Sequence, residues 1–180
     1  MAEGSVTKVK IIGMVSLILL GLVFHELYEI TGSTFMGIIS PVNESKWEHW
    51  KMAFFPLILV SMFEYPFVKA HVSNYIFSLA VGILVFITVT FGLIELYDLL
   101  IGKSHLFVHV STFLLGGVAG QMVRYAVMLR TQPSKPLFWS GLLVLLILLG
   151  LFTVFTFAPP KIDYFRDPIT DTYGIDQLPG

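Results

Sequence analysis

The residues able to do chemistry are two histidine groups and a scatter of carboxylates. His105 and His109 are four apart and share one face if they lie on a helix. His25 and Glu29 have the same spacing, with Glu26 between them. Neutral imidazole and carboxylate are suitable ligands for zinc, iron or manganese. A water on such a metal has a pKa of about 7 and acts as a nucleophile. His25, His105 and His109 are therefore the candidate ligands for a divalent metal such as zinc, with Glu48 or Glu29 as general base. Glu26, Glu44, His49, Glu95 and Asp98 complete the polar set. The competing reading is interfacial side chains that touch headgroups, because ionisable groups at helix ends reach water cheaply.

Other polar residues have structural readings. Glu64 and Arg124 are expected to pair, since paired charges inside a membrane offset each other's cost; the alternative is a gate on a solute path. Ser45 and Glu48 match a capping box, in which the hydroxyl accepts from the third helical amide and the carboxylate reaches back to the cap amide. Trp47, Trp50 and Tyr28 read as an aromatic belt.

The elements that position these groups follow from composition. Of 180 residues, 56% are hydrophobic and 13% charged, which excludes a water-soluble globule. Net charge is −1, so nothing points to nucleic acid, and without cysteine there are no disulfides or thiolate sites. One span needs about 20 apolar residues. Five apolar runs meet that requirement, at about 11–30, 47–68, 74–100, 105–129 and 137–157, followed by a polar tail over 159–180 that reads either as a lid or as a loose terminus. The runs lack the alternation of barrel strands, so the chain reads as an all-α integral membrane bundle of five transmembrane helices. Pro56 falls inside the second run, as membrane helices tolerate.

Five spans put the termini on opposite sides. The basic residues divide six to five in favour of a cytoplasmic N-terminus in the cell membrane. In that arrangement His25, Glu26, Glu29, Glu44, Glu48, His49, Glu95, Asp98, His105 and His109 fall on the outer side, and the Glu64–Arg124 pair on the inner side. Gly116 with Gly120, and Ser78 with Gly82, are small-xxx-small pairs, which serve either packing inside one bundle or, at Gly116 and Gly120, a homo-oligomer face.

The string Pro41-Val42-Asn43-Glu44-Ser45-x-Trp47-Glu48-His49 is preceded by His25-x-x-Tyr28. Asp167-Pro168-x-Thr170-x-x-Tyr173-Gly174 follows the last span. Together they resemble a bacterial family of small multi-spanning membrane proteins known as a domain of unknown function. The resemblance covers nearly the whole chain and implies a fold but no substrate. The residues themselves support a metal-dependent or acid-base site at the outer interface, acting on a lipid or envelope-linked substrate. The alternatives are a small-solute or cation carrier subunit using the same cluster, and a structural partner in a membrane complex. Whether the chain is an enzyme is left open at this level.

Overall fold

The computed structural model describes residues 2–175. Among the described residues six α-helices follow in order: α1 (Ala2–Thr31), α2 (Thr34–Ile39), α3 (Lys46–Val68), α4 (Tyr75–Leu100), α5 (Leu106–Arg130) and α6 (Lys135–Phe157), with a 3-10 turn at Asp163–Phe165. The all-α expectation holds, and among the described residues the only extended pairing is an isolated bridge between Arg166 and Tyr173. Among the described residues five helices are long and apolar enough to cross a membrane: α1 from Lys8 onward, α3, α4, α5 and α6. α3 continues through Pro56. The short α2 has no counterpart in the sequence reading, because six residues are too few to display a period. α1 stops where Gly32 takes a left-handed conformation at φ 58°, its amide bonding Tyr28 O at 2.8 Å.

Contacts divide the chain into two units. The first contains α1 up to Ile18 and residues Leu57–Val144. Within it α4 and α5 lie close together: a side chain at Gly116 would run into Thr90 and Phe86, and one at Gly120 into the carbonyl of Gly82. The small residues thus permit a close approach between two helices of the same chain. Asn74, in the left-handed region at φ 49°, ties the start of α4 to the α5–α6 turn. Its amide donates to Gln132 O at 2.6 Å and its carbonyl accepts from Ser134 N at 2.8 Å.

The second unit contains Leu19–Pro56 and, among the described residues, the chain from Leu145 to Ile175. Trp47 is buried here, stacked on Phe165 at 4.9 Å between centroids and flanked by Phe152 and Phe155. It is a core residue, not part of an aromatic belt. The described part of the tail is ordered on this unit. Trp50 Nε1 donates to Tyr164 Oη at 2.9 Å, Asn43 Nδ2 to Gly174 O at 3.2 Å, and Ile175 N to Thr156 O at 2.9 Å. Asp167 caps its own turn, its Oδ1 accepting from Ile169 N at 2.8 Å and its Oδ2 from the Thr170 hydroxyl at 2.8 Å. The hydrogen bond that the exposed Arg166 guanidinium donates to Asp171, with the nearby charge of Asp163, raises the guanidinium pKa above its ordinary value.

Candidate functional site

Three segments of the second unit meet at one place: the last two turns of α1 carry His25 and Glu26, the loop before α3 carries Glu44, and the first turn of α3 carries His49. The Ser40 hydroxyl turns the chain back onto α1, donating to Phe24 O at 2.6 Å and accepting from Tyr28 N at 3.1 Å. Asn43 then folds the loop, its Oδ1 accepting from Ser45 N at 2.9 Å. The capping box forms only by half. Glu48 N donates to Ser45 Oγ at 3.3 Å, but the Glu48 carboxylate accepts from Val42 N at 3.1 Å instead of from the cap amide, which Asn43 has already taken.

The imidazoles face each other. His25 Nε2 is 3.3 Å from His49 Nε2 and 3.6 Å from Glu44 Oε1, and His49 Nε2 is 3.4 Å from Glu44 Oε2. Among the described residues these three form a group whose ligand atoms all lie within 4.8 Å of one another. The far ring nitrogens are held as well: His25 Nδ1 by Glu26 Oε1 at 2.7 Å, and His49 Nδ1 by Ser45 O at 2.9 Å. The side chains of His25, His49 and Glu44 are 31%, 23% and 43% exposed, open enough for water or a ligand to reach.

Beneath this cluster lies a buried ion pair. Lys51 is 0% and Glu48 2% exposed. The Lys51 ammonium contacts Glu48 Oε2, Gly37 O at 2.7 Å, Thr156 Oγ1 at 2.6 Å and Ser40 O at 3.3 Å. One ammonium thereby joins α2, the loop, α3 and α6. Glu48 Oε1 is buried without a hydrogen bond. Engaged in this way, Glu48 holds the loop that carries Glu44, while Glu29 is exposed on α1.

The other singled-out residues belong to the first unit. His105 occupies the N-cap position of α5 without a side-chain cap bond, and its ring lies 6.1 Å from that of Tyr97; His109 Nε2 is 3.0 Å from Ser104 Oγ. Asp98 accepts from Ser104 N at 2.7 Å, and Glu95 is exposed. Arg124 donates to Glu64 Oε2 at 2.6 Å, Gln121 Oε1 at 3.0 Å and Tyr75 Oη at 2.6 Å, while the Tyr125 hydroxyl donates to Glu64 Oε1 at 2.7 Å. The Glu64 carboxylate also presses on Gly13 of α1, where a Cβ would collide with it.

Sequence reasoning missed Lys51, Ser40, Tyr75 and Tyr125. For Lys51 a signal existed: it follows Glu48 by three residues near the start of an apolar run, the spacing of a helical ion pair. Nothing local marked the two tyrosines, whose partners are 49 and 61 residues distant.

No curated protein and no solved structure matches this chain. A family model matches residues 2–175, nearly the whole length, and the protein therefore belongs to the family of unknown function DUF6512.

Proposed function

We propose that this multi-pass membrane protein uses the His25–Glu44–His49 cluster for metal-dependent or acid-base chemistry on a lipid or envelope-linked substrate at the membrane boundary. The observation that carries the reading is the 3.3 Å approach of two imidazole Nε2 atoms beside a carboxylate. Such groups are costly to desolvate, at about 2.5 to 3.5 kcal/mol for a charged side chain at the bilayer centre, and here they lie near the ends of two apolar spans where water is close. Partial exposure of all three side chains supports access to a headgroup. The chemistry is hydrolysis: water adds to the carbonyl or phosphoryl centre of an ester, the ester bond to the leaving oxygen breaks, and that oxygen leaves with a proton.

The test uses the full chain in proteoliposomes of mixed lipid extract, following release of headgroup or fatty acid. Conversion by the wild type and at least ten-fold slower conversion by His49→Ala supports the reading. No conversion of any lipid, or equal rates in the two proteins, contradicts it. Uptake of divalent cation into the same vesicles, dependent on His25 but without lipid conversion, would favour a carrier.

A further inference from the structure

We propose that the cluster is a three-ligand divalent metal centre, formed by His25 Nε2, His49 Nε2 and the Glu44 carboxylate, oriented by Glu26 and the Ser45 carbonyl and leaving a fourth position for water. The inference rests on the preceding reading of the same site and names the ion it uses.

The neighbours of the two Nδ1 atoms fix where the ring hydrogens lie. A backbone carbonyl only accepts, so His49 Nδ1, 2.9 Å from Ser45 O, carries its hydrogen. His25 Nδ1, 2.7 Å from the Glu26 carboxylate, does the same. A neutral imidazole protonated at Nδ1 presents a lone pair at Nε2. Two such nitrogens thus lie 3.3 Å apart, with carboxylate oxygens 3.6 and 3.4 Å away. Four acceptor atoms with no hydrogen among them repel unless a cation lies between.

The distances fit a metal ion in that place. A metal with bonds of about 2.0 to 2.1 Å spaces tetrahedral ligands roughly 3.3 to 3.4 Å apart. The Nε2–Nε2 edge of 3.3 Å lies at that spacing, each imidazole has its own carboxylate oxygen nearby, Oε2 at 3.4 Å from His49 and Oε1 at 3.6 Å from His25, and with one ligand atom per residue the three stay within 4.8 Å of one another. The outer contacts agree, since metal-bound histidines regularly give their second N–H to a carboxylate or a backbone carbonyl. Two histidines and a glutamate are also a donor set of catalytic zinc sites, which keep one position open.

The experiment titrates the full chain in detergent micelles with Zn²⁺ by calorimetry and with Co²⁺ by visible absorption, which reports tetrahedral coordination. The expected result is one ion per chain with an intense Co²⁺ band. Binding should be at least 100-fold weaker in His49→Ala and unchanged in His109→Ala. Glu26→Gln retains all three ligands and guards against misfolding of the alanine variant; loss of its orienting carboxylate should weaken binding about 10- to 100-fold. No ion bound by the wild type, or wild-type affinity in His49→Ala, overturns the inference. Lipid conversion that depends on His49 without bound metal would overturn the metal centre and leave the acid-base reading standing. Metal bound without lipid conversion would do the opposite.

Discussion

His25 and His49, separated by 24 residues in the chain, place their Nε2 atoms 3.3 Å apart. Neither helix periodicity nor a local motif produces that meeting. It depends on the Ser40 hydroxyl turning the loop back onto α1 and on the Lys51–Glu48 pair holding the loop in place.

Lys51→Met should therefore be strongly destabilising. It leaves the Glu48 carboxylate buried without its counter-charge, and loss of one partner of a buried pair costs about 3 to 5 kcal/mol. Lys51→Met with Glu48→Leu should recover most of that loss, because the uncompensated charge is gone. Thermal unfolding of the single and double variants in one detergent measures both. A double variant as unstable as the sum of the singles would show that the pair does not act as a unit.

Gly13→Ala should destabilise the first unit, because its methyl group enters the space of the Glu64 carboxylate and pushes it off Arg124 and Tyr125. Overpacking of this kind costs about 1 to 3 kcal/mol. Gly92, with open space around it, is the control: Gly92→Ala should be neutral or stabilising by up to about 1 kcal/mol. Similar melting temperatures for the two variants would contradict this account of Gly13.

Asn43 fastens the tail. Its amide holds Gly174 O while its carbonyl holds Ser45 N, so Asn43→Ala removes both bonds, each worth about 1 kcal/mol. Limited proteolysis should then cut the segment between Lys161 and Tyr173 several-fold faster than in the wild type. An unchanged cleavage rate would mean that the Phe165–Trp47 stack, the Tyr164–Trp50 bond and the Ile175–Thr156 bond hold the tail without Asn43.

Much of the fold was legible because a lipid environment restricts a chain to few forms. Five apolar runs without alternation leave helices, and five helices of the required length are present. His25 was legible as an ionisable group inside an apolar run. The partnership was not. His105 and His109 have the more familiar spacing, yet their ring and hydroxyl neighbours are Tyr97 and Ser104, whereas His49 and Glu44 were visible only as members of a polar set. Spacing reports faces within one helix, while this cluster joins two helices and a loop through side-chain bonds to the backbone.

Proton competition gives the site a sign. Metal ligands must be deprotonated, so metal affinity should fall steadily as the pH is lowered. Equilibrium dialysis of the wild type against Zn²⁺ across an acid series checks this. Binding that strengthens toward acid would contradict ligation by imidazole.

The most direct measurement is the metal content of the purified chain after incubation with Zn²⁺ and gel filtration, determined by elemental analysis for the wild type and four histidine variants. The account predicts one ion per chain in the wild type, in His105→Ala and in His109→Ala, and little or none in His25→Ala and His49→Ala. Metal lost from the His105 and His109 variants but kept in His49→Ala, or absent from the wild type, would contradict it.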